Sequence, residues 1–389
     1  MKKPKQLVHQ DLREVYGDTL LAKWKGRDMA AMHRFVPADT DDTVRMNLTM
    51  GGNPHSTQAD VVIESYDGGE NWQQIDGWYP PCDRGIYSWG RLRMSIVKGG
   101  QECWRSYDDG QRWHRHKIDN ANELHLKGLG APNCFSAIMI RHGNYSGRIV
   151  MVADYFMGQE GPDGQLIGTT YSDDWGDTWH CSRMFAPPDP LPFGPEGFGE
   201  PAVVEMPSGW LWMVARSLYG ELWQAISRDG GTTWLDATPT GFVSPIANCY
   251  AVREPTTGAT VLSWNAVDPG TSPDFRARHS LYQPRNNLVF AVSHDNTRTW
   301  TEPVVVDAGQ AQYPTIHFAA GRMFIMYQSS PGDEMADWTE QGLTLVAYDT
   351  KEILELPAWN IKTIQPWIAS GLVRHWRAVA CQTIRDTIS

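Results

Sequence analysis

Residues 225–237 read "AISRDGGTTWLDA", placing Ser227, Asp229, Gly231, Thr233 and Trp234 in close order. The pattern Ser-x-Asp-x-Gly-x-x-Trp recurs along the chain, and self-similarity of this kind is the first clue to a repeat-built fold. "SYDGGENW" runs from Ser65 to Trp72, "SYDDGQRW" from Ser106 to Trp113 and "SDDWGDTW" from Ser172 to Trp179. "SRDGGTTW" spans Ser227 to Trp234, and "SHDNTRTW", with Thr297 in place of the glycine, spans Ser293 to Trp300. From serine to serine the steps are 41, 66, 55 and 66 residues, too uneven for a tight solenoid but compatible with blades carrying variable loops.

Each copy reads as a hairpin turn. The aspartate can accept backbone N–H bonds inside the turn, the glycine supplies a positive φ, and the Thr-Trp pair opens the next strand with the indole under the turn. A strand-like run precedes every copy: "DVVIE", "QECWR", "IGTTY", "LWQAI" and "LVFAV". Further strand pairs lie upstream, such as "PAVVEM" with "GWLWMVAR" and "YPTIHF" with "GRMFIMY". The unit is strand, strand, strand, box, strand: a four-stranded antiparallel blade. Five boxes predict five blades, and the boxless strands between Gln312 and about Tyr348 predict a sixth. A segment around "DLREVYGDTLLA" is expected to supply the outer strand that closes the ring. The fold class predicted is therefore all-β, a six-bladed β-propeller over residues 1–366. The segment 367–389, with Leu372, Trp376, Val379 and Ala380 at helical spacing, is read as a helix packed on the rim and a candidate for oligomer contacts.

Composition fits this picture. The 389 residues hold 18 Trp, 36 Gly and 25 Pro, a mix suited to many short strands joined by turns. A formal net charge of −11 at pH 7 argues against a nucleic-acid partner, which calls for a basic face. The six cysteines form no Cys-x-x-Cys pair, so they are expected to be buried free thiols rather than metal or redox ligands. No apolar run reaches the length of a membrane span. The N-terminus has a basic start without an apolar segment after it, so the expectation is no secretory leader and a cytoplasmic or otherwise non-classical location, a virion component included.

Between the boxes lie stretches that resemble the sialidase (neuraminidase) superfamily. "GEPAVVEMPSGWLWMVARS" is similar to the sialidase segment with a catalytic Glu at a strand start and an Arg at the end of the next strand, here Glu200 and Arg216. "RNNLVFAVSHDNTRTWTEPVVVDAGQAQYPTIHF" is similar to the segment carrying the last Arg of the family's triad and its Tyr nucleophile, here Arg285 and Tyr313, 28 positions apart. The resemblance implies a retaining exo-glycosidase acting on a glycan that ends in an acidic sugar, with no cofactor. Its logic is chemical. Converging guanidinium groups hold the carboxylate of an α-keto acid sugar. That carboxylate repels an anionic nucleophile but not a neutral phenol, and the phenol, with a pKa of about 10, needs a neighbouring base, the role that falls to Glu200. Sialidases are accordingly the tyrosine exception among retaining glycosidases.

Two parts of the pattern stay open. The first Arg of the triad is Arg27 in "GRDMAAMHRF", favoured for its place near a strand start, or Arg34. The acid that protonates the leaving group belongs in "TMGGNPHSTQADVVIE", where Asp60 and His55 are the candidates; Asp83 in "YPPCDRG" is a third. A glycan-binding propeller without catalysis, using Trp78, Trp89 and Trp175 as stacking platforms, is the competing reading, and a protein-assembly scaffold ranks behind it. Only an enzyme needs the acid.

Overall fold

The computed structural model describes residues 3–12, 33–36, 42–48, 61–75, 87–96, 102–121, 136–156, 165–183, 198–217, 220–267, 285–330 and 342–358. Strand β1, Gln6–Asp11, precedes a first four-stranded sheet of β2 (His33–Val36), β3 (Val44–Leu48), β4 (Val61–Ser65) and β5 (Gln73–Ile75). The second sheet holds β6 (Tyr87–Trp89), β7 (Leu92–Ile96), β8 (Glu102–Ser106) and β9 (His114–Lys117). The third holds β10 (Ala137–Met139), β11 (Ile149–Phe156), β12 (Gln165–Ser172) and β13 (His180–Cys181). The fourth holds β14 (Phe198–Glu205), β15 (Leu211–Ser217), β16 (Glu221–Ser227) and β17 (Thr238–Val243). All four are antiparallel meanders in chain order, the blades of an all-β propeller.

The remaining strands correct the expectation of six separate blades. β18 (Tyr250–Arg253), β19 (Thr260–Asn265), β20 (Asn286–Ser293), β21 (Val304–Ala319), β22 (Arg322–Ser330) and β23 (Gly342–Asp349) form one continuous sheet with β1 at its edge, seven strands in all. The physical reason is β21. Its first part pairs with β20 and its second with β22, so no break separates the two halves. A second correction concerns closure. The N-terminal strand does join the outer edge, pairing with β23, but it is Gln6–Asp11, upstream of the stretch expected to do so. Helix is scarce among the described residues: a 3-10 turn at Gly143–Tyr145 and α1 (Thr350–Leu354), whose N-cap Asp349 accepts from the Lys351 and Glu352 amides. The expected helix at 367–389 lies outside the described residues. No helix among those described is long and apolar enough to cross a membrane.

Strands β14, β15 and β19 are buried along their whole length because both faces of a blade are covered. In β11, Ile149 and Met151 pack with Met94 and Cys103 of the second blade, while Val150 and Val152 pack with Val203 and Met213 of the fourth. In β22, Phe324 and Met326 meet Val44, Met46 and Ile63 of the first blade, while Met323, Ile325 and Tyr327 face Phe290 and Val292 of β20. The core is thus a series of layers between sheets, and it ties the last sheet to the first.

The boxes are turns, as expected, and tighter than a single glycine implies. Two consecutive residues take positive φ in each: Gly68–Gly69, Asp109–Gly110, Trp175–Gly176, Gly230–Gly231 and Asn296–Thr297. This is the backbone that primed hairpin turns favour. In each box the serine Oγ accepts the second residue's amide at 2.7–2.8 Å. The aspartate accepts the amide four positions on at 2.8–2.9 Å. At Gly69 a side chain is also barred by space, since a Cβ there lies 2.7 Å from the Phe324 ring of the neighbouring sheet. Cys103, Cys181 and Cys249 are free thiols.

Candidate active site

Glu200 lies in β14 and Tyr313 in β21, and the two share a backbone device. In β14 the pairing with β15 steps from Gly199–Arg216 to Ala202–Val214, so Glu200 and Pro201 bulge against Ala215. In β21 the pairing with β22 steps from Gln312–Gln328 to Thr315–Met326, so Tyr313 and Pro314 bulge against Tyr327. A proline has no N–H for the ladder, which locates the bulge, and a bulge re-aims the side chain beside it. Glu200 has φ of 45° and Tyr313 of 53°, both in the left-handed region and both ahead of a proline, where extended backbone is the norm. The sequence placed both residues at strand starts, Glu200 ahead of "PAVVEM" and Tyr313 at the head of "YPTIHF". They stand inside the strands, at the bulges.

The bulges turn the two side chains toward each other. The Tyr313 hydroxyl donates to Glu200 Oε1 at 3.3 Å, across 113 positions of sequence. The other carboxylate oxygen, Oε2, lies 2.5 Å from Arg216 Nη1. Arg216 sits near the end of β15, and its backbone partner is Gly199, next to Glu200. Arg285, immediately before β20, places its guanidinium carbon 5.5 Å from the centre of the Tyr313 ring. Arg285 Nη1 donates to Gln312 Oε1 and Nη2 to the Ile246 carbonyl at 3.0 Å. Glu200, Arg216 and Arg285 are 7%, 8% and 3% exposed. Charges this far from water persist when paired or hydrogen-bonded: Glu200 and Arg216 pair with each other, and Arg285 donates to the Gln312 and Ile246 oxygens.

One neighbour adds to the electrostatics. The Cys249 thiol, 3.8 Å from the Val214 carbonyl, is pushed up to about 12, first by burial and then by the Glu200 charge, against the opposing pull of Arg216. The thiol is therefore neutral at physiological pH.

Chemically, the cluster is a phenol with a carboxylate in reach of its proton, between two guanidinium groups. The structure brings together Glu200, Arg216, Arg285 and Tyr313. Arg27, His55, Asp60 and Asp83 lie outside the described residues, as does Trp78. Arg34 stands in β2 opposite Asn47. Trp89 stacks on Tyr87, with ring centres 5.9 Å apart, and packs in the core between the second and third blades. Trp175 is half exposed at the third box turn, and its carbonyl accepts from Arg105 at 3.0 Å. Gln312, Gln328 and Asn265, which frame Arg285, escaped sequence reading. Their only signal is an amide side chain within a strand-like run.

A family model described as a BNR repeat-like domain matches residues 85–325. Curated protein sequences offer no match. Among solved structures, a Dyadobacter fermentans protein of unknown function is 15% identical with a TM-score of 0.58, over 90% of this chain and 100% of that one. An intramolecular trans-sialidase from Ruminococcus gnavus, in complex with oseltamivir carboxylate, is 14% identical with a TM-score of 0.56, over 85% of this chain and 97% of that one. Trypanosoma rangeli sialidase, in complex with 2,3-difluorosialic acid as a covalent intermediate, is 13% identical with a TM-score of 0.54; the match covers 89% of this chain and 57% of that one. At these identities the likeness is one of fold.

Proposed function

We propose, because the chain belongs to the BNR repeat-like domain family, that it is a retaining exo-glycosidase of the sialidase type. Its substrate on this reading is a glycan ending in sialic acid or a related α-keto acid sugar. The observation that carries the reading is the Tyr313 hydroxyl 3.3 Å from Glu200, with Arg216 and Arg285 beside the pair. Arg216, Arg285 and an N-terminal arginine, Arg27 ahead of Arg34, bind the substrate carboxylate. The Tyr313 oxygen attacks the anomeric carbon and gives its proton to Glu200, while the glycosidic bond breaks and the leaving oxygen takes a proton from the general acid. Asp60, His55 and Asp83 are the candidates for that acid. Water then gives a proton to the conjugate base of the general acid and attacks the same carbon, the bond to Tyr313 breaks with its proton returned from Glu200, and the sugar leaves with its configuration retained.

The same reading extends to architecture. The seven-stranded sheet serves as fifth and sixth blades, with β21 as outer strand of one and inner strand of the next. Residues 1–366 then form one six-bladed propeller and 367–389 a helical extension. Support comes from the two-part pairing of β21 with β20 and β22.

A panel of fluorogenic α-keto acid glycosides tests the activity. The wild type is expected to release the fluorophore, and Tyr313→Phe and Glu200→Gln each to lower kcat by roughly 10²–10⁴-fold. The double variant is expected to be little worse than either, because the pair acts as one unit. Glycosides bound but never cleaved by the wild type contradict the enzyme reading and favour a glycan-binding propeller.

A further inference from the structure

Arg216 and Arg285 are held by different chemistry. Arg216 leans on the Glu200 carboxylate at 2.5 Å. Arg285 leans on two oxygens that carry no charge, the Gln312 amide and the Ile246 carbonyl. Gln312 is fixed in turn, its Nε2 donating to Gln328 Oε1 at 3.0 Å. The guanidinium, which only donates, sets the amide's direction: Oε1 meets Arg285 and Nε2 is left to meet Gln328. Both glutamines are buried. The backbone is tied as well: Asn265 Nδ2 donates to the carbonyls of Asn286 at 3.0 Å and Ala311 at 2.8 Å, and the Ala311 amide donates to the Arg285 carbonyl at 2.8 Å. Asn286 follows Arg285 and Ala311 precedes Gln312, so one asparagine braces both ends of the contact.

A glutamate at position 312 has nearly the same shape and makes a stronger, charge-assisted bond to a guanidinium. If packing of Arg285 were the only demand, the acid would serve it better. An amide aims the guanidinium without lending it negative charge. The geometry points to Gln312 as a positioning residue that orients Arg285 and keeps its positive charge for a ligand carboxylate, with Gln328 holding Gln312 in register. This rests on the reading of Arg285 as a carboxylate-binding residue given above.

The test is calorimetric binding of 2-deoxy-2,3-dehydro-N-acetylneuraminic acid, a carboxylate-bearing sugar, to the full chain and two variants. Gln312→Met keeps the length but removes the acceptor, and several-fold weaker binding is expected. Gln312→Glu keeps the acceptor but adds a charge that competes with the ligand, and a loss of tenfold or more is expected, with a melting temperature at or above that of Gln312→Met. Equal losses in the two variants, or binding by Gln312→Glu as tight as wild type, overturn the inference and leave the sialidase reading standing. A wild type that does not bind the acid overturns the sialidase reading itself, and the inference with it. Should Gln312→Glu fail to fold, Gln312→Met decides: binding at least threefold weaker than wild type supports the role, and wild-type binding overturns it.

Discussion

At Glu200 and Tyr313 the backbone takes φ of 45° and 53° ahead of a proline, and residues held in such regions cost about 1–3 kcal/mol each. Strand pairing on both sides of each bulge keeps them there. The dipeptides Glu-Pro and Tyr-Pro are legible in the sequence, and they do mark the two side chains that meet. The positive φ is not legible, because it arises from two residues opposing one across a hairpin, a feature of pairing rather than composition. The amides that frame Arg285 were hidden for a similar reason: Gln312 and Gln328 acquire meaning only when β21 and β22 lie side by side. A third strained residue has no such partner in chemistry. Thr297, where the other boxes have glycine, adopts φ of 67°, an outlier for a β-branched side chain. The left-handed conformation costs roughly 1–2 kcal/mol, partly offset by glycine's greater freedom when unfolded. Thr297→Gly is therefore expected to stabilise the protein by about 1 kcal/mol, raising the denaturant midpoint; a lowered midpoint refutes the strain.

The boxes do more than turn the chain. At the same position of three of them, a carbonyl accepts from an arginine of the preceding sheet. Arg322 donates to Gly68 at 2.6 Å, Arg105 to Trp175 at 3.0 Å and Arg148 to Gly230 at 3.2 Å. The two positive φ values turn that carbonyl out of the hairpin, so the turn geometry makes the inter-blade clasp. Strands and boxes follow from alternation and turn residues, whereas these clasps join residues up to 254 positions apart, which no local pattern encodes. Arg148 is the most engaged: it forms a two-pronged pair with Asp173 at 2.7 and 2.8 Å and lies over the rings of Tyr145 and Tyr171. Arg148→Met is expected to cost roughly 2–3 kcal/mol by chemical denaturation, and a change within about 0.5 kcal/mol contradicts the clasp. The box aspartates set a pH limit. Burial pulls the carboxyls of Asp174, Asp229 and Asp295 up, but hydrogen bonds from Thr178, Thr233 and Thr299 outweigh it and hold them below the usual carboxylate range. A depressed folded pKa contributes stability above the unfolded value of about 3.9 and loses it as pH falls toward the folded one. Stability attributable to the boxes should hold at pH 5 and above and decline below about pH 4. Urea midpoints measured across that range check it, and equal midpoints at pH 6 and pH 3 contradict it.

On the scale of the molecule, β1 pairs with β23 and the last sheet packs on the first blade, so segments near both ends of the described chain meet at one seam. The four separate blades were legible from their boxes. The continuity of β21 was not, because Asp307, Gly309 and Pro314 read as turn punctuation. In the fold the strand absorbs them: Asp307 accepts the Gly309 amide and the Tyr327 hydroxyl at 2.8 and 2.9 Å, and bulges take up the register. That one strand carries the chain from the fifth box to Tyr313 and sets the phenol against Glu200 of another blade. The most direct measurement of what this arrangement does is mass spectrometry after incubation with a 2,3-difluorinated sialic acid, which slows release of a glycosyl-enzyme. The expected result is one added sugar mass on the peptide containing Tyr313, absent in Tyr313→Phe. A label on any other residue, or a Tyr313→Phe variant that still turns over glycosides at the wild-type rate, contradicts the assignment of Tyr313 as nucleophile.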